Sequence, residues 1–120
     1  MKTIIAGSRD ITDYEELKRA VASCGWDVTT VVSGAAHGVD RLGEIYAIEM
    51  GLPLELYPAH WNTHGRSAGY IRNGLMASRA DALIAIWDGS SKGTKHMIDI
   101  ANKKALKVYV HMLKERNNAT

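Results

Sequence analysis

The residues Ala82-Leu83-Ile84-Ala85-Ile86-Trp87 form an uninterrupted apolar run, and no other feature constrains the chain as much. The run is too short for a core helix and too apolar to leave one face in water. It predicts a strand buried on both faces, as in a parallel sheet covered by helices. Other segments follow the same pattern. Lys2–Ala6 is a short apolar strand that ends at Gly7-Ser8-Arg9, and Val28-Thr29-Thr30-Val31-Val32 suits a buried strand because its residues are β-branched. Pro53–Tyr57 is a weaker third strand, placed toward an edge because proline lacks a donor, and Leu106–His111 is a fifth.

Stretches with helical spacing lie between these strands. Thr12 and Glu15 read as a capping box opening a first helix over residues 13–24, with Tyr14, Leu17, Val21 and Cys24 on one side. A second helix, Val39–Met50, carries Val39, Leu42, Tyr46 and Met50 along one stripe and stops at Gly51. A polar and aromatic loop, Pro58–Arg66, leads to a third helix over Ser67–Arg79. The fourth runs from Thr94 to Lys104 with Met97, Ile98, Ala101 and Ala105 inward.

Strands alternating with helices predict an α/β fold, a Rossmann-like doubly wound sheet of about five parallel strands in the order 3-2-1-4-5. One domain is expected over residues 1–112, followed by a charged C-terminal tail at 113–120. In that strand order the winding reverses between strands one and four. Ligands of open α/β sheets bind at such a switch point, outside the carboxyl ends of the strands.

Length and composition narrow the function class. With 120 residues, 46% hydrophobic and 23% charged, the chain matches one globular domain of ordinary composition. Its single cysteine, Cys24, excludes an internal disulfide and suits a reducing compartment, where it is expected as a buried structural thiol. No apolar run is long enough to span a membrane, and Met1–Gly7 reads as a strand and not as a signal peptide, so a cytoplasmic location without membrane attachment is expected. The net charge of +2 does not give the clustered basic surface of a nucleic-acid binder. The basic cluster from Lys103 to Arg116 fits a solvated helix face and a charged end equally well.

Three glycine-bearing loops fall at the predicted switch point. After strand four comes Asp88-Gly89-Ser90-Ser91-Lys92-Gly93-Thr94, where Gly93 and Thr94 open a helix whose free amides favour a phosphate. The same loop also fits a plain turn in which Thr94 only caps its helix. After strand two, Ser33 and Gly34 begin a small-residue loop, and Asp40 in the next helical turn either accepts from ribose hydroxyls or simply complements the helix dipole. After strand one, Gly7 and Ser8 offer close approach and a donor, while Arg9 reaches either ligand or water. Two arginines, Arg66 and Arg72, lie within Gly65–Asn73, and Arg72 is the first choice for an anion contact. Asn73, adjacent to it, is expected to serve the cleft or a backbone partner. The five histidines lack metal-ligand spacing, so neither metal nor cofactor is expected. Trp61 and Trp87 suit core or interface packing, although Trp87 could border the cleft.

The combination of Gly7-Ser8-Arg9, Ser33 through Asp40, Arg72-Asn73 and Ala80 through Gly89, continuing to Gly93-Thr94, resembles the SLOG superfamily over about residues 3–110. Within it, the chain is most similar to the YspA/YpsA-related branch of small standalone proteins of bacteria and phages. The resemblance implies a Rossmann-like fold, a glycine-threonine phosphate loop and frequent dimerisation. The superfamily includes lonely-guy phosphoribohydrolases, the DNA-uptake protein DprA and sensor domains for nucleotide-derived signals. In the phosphoribohydrolases an arginine on the helix before strand four assists cleavage of the base-to-ribose bond, and Arg72 lies at the matching distance. Their catalytic glutamate follows the loop threonine by three residues, and Met97 holds that position here.

The leading expectation is a binding module for a nucleotide or nucleotide-derived small molecule, a signal sensor or sequestering protein. The alternative is a nucleoside 5'-monophosphate N-glycosidase or related hydrolase, with Arg72 and Asp40 as catalytic residues and Asp88 or Asp99 as further carboxylates. A DNA-processing role is a third and smaller expectation. A homodimer or higher homo-oligomer is expected, with Tyr46 and Tyr70 on the second and third helices available to it.

Overall fold

The computed structural model of the chain describes residues 1–113. Five parallel strands form one sheet in the order β3-β2-β1-β4-β5. They are β1 (Lys2–Gly7), β2 (Thr30–Ser33), β3 (Leu54–Leu56), β4 (Ala82–Trp87) and β5 (Lys107–Met112). The helices are α1 (Tyr14–Ser23), α2 (Val39–Met50), α3 (Trp61–His64), α4 (Ala68–Arg79) and α5 (Lys92–Lys103), with a 3-10 turn at Gly65–Ser67. No helix among the described residues is long and apolar enough to cross a membrane.

The predicted doubly wound α/β fold and strand order are present. The central strands explain the uninterrupted apolar runs. Ile5, Ile84 and Ile86 project to one face, against Leu17 and Ala20 of α1 and Val39, Leu42 and Ala47 of α2. Ile4, Ala6, Leu83 and Ala85 project to the other, against Met76 and Ala77 of α4 and Met97, Ile98 and Ala101 of α5. Alternation along each strand therefore fills two cores, and both faces demand apolar side chains.

Several local expectations need correction. Helix α1 is capped by Asp13 and not by Thr12: the Asp13 carboxylate accepts from the Glu15 amide at 3.0 Å. Strand β2 begins at Thr30 and not Val28, because its pairing with β1 starts at Lys2↔Thr30 and little of β1 precedes that point. The buried stripe of α2 runs through Val39, Gly43 and Ala47, leaving Met50 exposed and Tyr46 half-buried against the core. Gly43 sets that orientation, since a Cβ there would lie 2.9 Å from Ile5 Cγ2 and only glycine lets the helix approach this closely.

Helix α5 begins at Lys92, two residues before the predicted Thr94, because Ser91 supplies the cap. Ala105 is not inward: it follows the end of α5, exposed, with a left-handed φ of 62°. The predicted loop at Pro58–Arg66 contains α3 and the start of the 3-10 turn, and α4 begins at Ala68. Cys24 is buried, and its thiol donates to the Trp26 carbonyl at 3.2 Å. Strand β5 continues to Met112, and Leu113 still packs on the core. The rest of the predicted tail, and Arg116 of the basic cluster, lie outside the described residues.

Candidate functional site

Strands β1, β2 and β4 end together at the reversal of winding, and the loops that follow border a cleft of about 620 Å3. Gly7, Ser8, Arg9, Asp40, Arg72, Asn73, Asp88, Gly93 and Thr94 all line it. Sequence positions up to 87 residues apart, from Gly7 to Thr94, thus meet on one surface. Ser33, Gly34 and Gly89 do not line this cleft. Gly34 borders a side pocket of about 210 Å3 that shares Arg9, Trp61 and Arg72 with it.

Ser33 is fully buried and binds protein groups. Its hydroxyl donates to Glu44 Oε2 at 2.8 Å and accepts from the Ala35 amide at 3.1 Å, which shapes the β2–α2 loop. The glycines also divide by role. A Cβ at Gly7 would run into the Ile86 carbonyl oxygen, and one at Gly34 would strike the Arg72 guanidinium. Gly38, with φ at +74°, would place a Cβ against the backbone of Ser8 and Arg9. These three permit loops to pack on one another. At Gly93, by contrast, a Cβ would meet nothing within 4 Å, so this glycine leaves room in the cleft itself.

The β4–α5 loop has already assigned some of its donors. The Asp88 carboxylate accepts from the amides of Ser90 and Ser91, both at 2.9 Å, and these bonds hold it below the usual carboxylate range. Ser91 Oγ takes the Thr94 amide at 3.4 Å and shares a hydrogen bond with Thr94 Oγ1 at 3.0 Å. The amides of Lys92 and Gly93 have no acceptor among the described residues. They stand at the positive end of the α5 dipole, where an anion is favoured. Trp87 holds the same loop from behind by donating its indole N–H to the Ser91 carbonyl at 3.1 Å.

Ser8 ties the loops together. It is buried, and its hydroxyl accepts from the Asp88 amide at 3.2 Å. Its carbonyl accepts from the amides of Ile11 at 3.3 Å and Val39 at 3.4 Å.

Arg72 is half-buried on α4. Its Nη1 donates to the Gly34 carbonyl and, at 3.5 Å, to that of Tyr57, while its Nε donates to Asn73 Oδ1 at 3.0 Å. Burial lowers its affinity for its proton, and Asp40 nearby partly restores it. Asp40 is only 5% exposed. Burial pushes its carboxyl up to about 6, against the opposing pull of the Ala36 amide, which donates to it at 3.2 Å, and of Arg72. A carboxyl that titrates close to neutrality beside a guanidinium can bind a hydroxyl or move a proton.

Asn73 is buried and bridges to α5, with its Nδ2 at 3.4 Å from the Gly93 carbonyl and 3.1 Å from His96 Nδ1. It serves backbone and cleft together. His96 stacks on Tyr70 with ring centroids 4.3 Å apart. Its place here has no signal in the chain, because nothing local links it to a partner 23 residues away. Asp10, Trp61, Arg66 and Tyr70 also line the cleft. Trp61 is not a core residue: it is 51% exposed at the rim. Its position on α3, inside a segment that reads as a loop, hides this. Met97 is buried and forms part of the cleft wall. Asp99 is turned outward and paired with Lys95 at 2.8 Å, so it does not serve the cleft.

Comparison with known proteins places the chain in a family. The chain is 34% identical over 84 residues to the Gene 61 protein of Mycobacterium phage D29, a stretch that covers 65% of this chain and 67% of that protein. A family model, YAcAr, described as the YspA, cpYpsA-related SLOG family, matches residues 1–64, from β1 to the end of α3. With more than half its length matched and the expected sheet order in place, the chain belongs to the YspA, cpYpsA-related SLOG family.

Proposed function

We propose that the cleft binds a nucleotide or a nucleotide-derived phosphate ligand, as a sensor or sequestering module. One observation carries this reading. The unclaimed amide of Gly93 opens the same cleft that Arg9, Arg66 and Arg72 line, so helix dipole and guanidinium charge border one space large enough for a nucleotide. The exposed rings of Trp61 and Tyr70 at the rim suit a flat base, which stacks on aromatic faces. Family membership supports a nucleotide-related ligand.

The test is a thermal-shift screen with nucleoside 5'-monophosphates, combined with chromatography for free base. A ligand at 100 times its dissociation constant stabilises by about 2.7 kcal/mol. A shift without turnover, lost in Arg72→Ala, is the expected result. No shift with any nucleotide overturns the reading.

A second reading, nucleotide N-glycosidase, is favoured by Asp40, whose carboxyl at about 6 lies in the same cleft as Arg72. Against it, Met97 supplies no acid or base where the phosphoribohydrolases carry glutamate. Release of free base, abolished in Asp40→Asn, would select it.

A homo-oligomer belongs to the same proposal. Leu56, Ile71 and Leu75 are exposed apolar residues, and the last two share α4 with Arg72. Sedimentation of the purified protein tests it, and a monomer at all concentrations rejects it.

A further inference from the structure

We propose that His96 is a positioning residue for Arg72: while neutral it holds the guanidinium Nε through Asn73, and once protonated it loosens that hold. The coupling concerns groups of this chain alone. Its consequence for a ligand rests on the nucleotide-binding reading.

The Asn73 side-chain amide is buried among three groups. Arg72 Nε lies 3.0 Å from its Oδ1, the Gly93 carbonyl 3.4 Å from its Nδ2, and His96 Nδ1 3.1 Å from the same Nδ2. A guanidinium only donates and a carbonyl only accepts, so two neighbours independently fix which end of the amide faces where. The amide nitrogen has two N–H groups. One goes to Gly93 and the other points at His96 Nδ1, which must therefore present a lone pair. His96 is thus the neutral tautomer with its proton on Nε2. Tyr70, stacked on the ring at an interplanar angle of 27°, holds the imidazole in the required plane.

Protonation of Nδ1 sets N–H against N–H. Turning the Asn73 amide over would satisfy the imidazolium. It would also place an NH2 group against Arg72 Nε–H and a carbonyl against the Gly93 carbonyl. Keeping the amide as it is leaves N–H against N–H, and turning it over gives up the Arg72 Nε bond. That bond therefore stands unopposed only beside a neutral His96, while the Nη1 bonds to the Gly34 and Tyr57 carbonyls do not depend on it. Burial acts in the same direction and lowers the proton affinity of His96. The titratable groups around it are Tyr70 on α4 and Asp99 on α5. Asp99 favours the imidazolium but is itself paired with Lys95. Asp40, beyond Arg72, also titrates near neutrality and has to be separated experimentally.

The sign distinguishes this coupling from simple electrostatics. An added positive charge beside an anion site should tighten anion binding on acidification, whereas loss of the Nε anchor that orients Arg72 should weaken it.

The experiment follows the Arg72 Nε–H and His96 ring nitrogen resonances by NMR from pH 8 to pH 5, without ligand, in wild type, His96→Phe and His96→Gln. We expect the Nε2–H tautomer at pH 8. The Arg72 signal should move with the midpoint of His96 and stay fixed in whichever variant folds. Binding of 3',5'-cyclic adenosine monophosphate, whose phosphodiester does not titrate in this range, should weaken about tenfold through that midpoint in wild type only, as loss of one hydrogen bond to a charged group implies. An Nδ1–H tautomer, an Arg72 signal indifferent to His96, or an unchanged titration in the variants, which would implicate Asp40, each overturns the proposal. Coupling observed by NMR with no binding of any nucleotide would uphold the role of His96 and reject the ligand reading instead.

Discussion

The hydroxyl of Ser8, at the end of β1, accepts a hydrogen bond from the backbone N–H of Asp88, at the end of β4, at 3.2 Å. The two strands are neighbours across the reversal of winding, and this bond closes the gap between the loops that leave them. The carboxylate of Asp88 in turn organises the Ser90 and Ser91 amides. A buried side chain just past the first strand thereby sets the shape of the loop that opens α5.

Ser8→Ala removes the acceptor and leaves the Asp88 amide without its partner. We expect a loss of about 1–2 kcal/mol in urea unfolding, with nucleotide-induced thermal shifts reduced as the β4–α5 loop loosens. Unchanged stability together with unchanged shifts would show that the two loops are held independently.

Asp40 should make stability depend on pH in an unusual direction. Its folded pKa, about 6, lies above the 3.8 of the unfolded chain, so between these values the native state binds more protons than the unfolded one. The contribution of this group is therefore greatest below about pH 4, falls as pH rises to about 6, and is level above that. The total is up to about 3 kcal/mol for this group, since each tenfold change in proton affinity is worth about 1.4 kcal/mol. Asp40→Asn, which still accepts from Ala36, should be more stable than wild type at pH 7 and lack this slope. Urea titrations at pH 4 and pH 7 measure it, and a less stable variant at pH 7 contradicts it.

Two glycines that look alike in the sequence should respond oppositely to alanine. Gly93→Ala adds a methyl group in open space within a helix and should stabilise by about 0.5–1 kcal/mol while obstructing ligand binding. Gly7→Ala drives a Cβ into the Ile86 carbonyl oxygen and toward Val39 Cγ2 at 2.7 Å, and should cost about 1–3 kcal/mol. Thermal unfolding with and without nucleotide separates the two effects. A destabilised Gly93→Ala with intact binding would refute the assignment.

Arg72→Lys keeps the charge but cannot donate at once to Asn73 and to the Gly34 carbonyl. Affinity for a nucleoside monophosphate should fall about tenfold or more, because a point charge does not replace the planar fork. Isothermal titration of the purified variant provides the measurement, and wild-type affinity would mean that charge alone suffices.

The fold is legible in the sequence because it rests on patterns that propagate locally. The apolar run at Ala82–Trp87, glycines at element ends and the spacing of Leu17 or Ile98 reflect burial on a two-sided sheet, and burial leaves its period in the chain. The boundaries are less legible where two polar residues compete for one cap, as Thr12 and Asp13 do before α1, or Ser91 and Thr94 at α5. Choice between them depends on backbone angles that side-chain identity leaves open. Trp61 cannot be read as a rim residue because α3 is a single turn, too short to show a period.

The sequence by itself determined the α/β alternation, the strand order and the set of loops that meet at the switch point, since these follow from hydrophobic period and chain connectivity. Only the tertiary structure decided what each polar residue in those loops does. It turned Ser33 and Gly34 to loop packing, left Gly93 open to the cleft, buried Asp40 beside Arg72, and joined Arg72 to His96 through Asn73. The reason is physical. Hydrogen bonds and charges act over a few ångströms in space, and residues far apart in the chain become partners only after the sheet has brought its strand ends together.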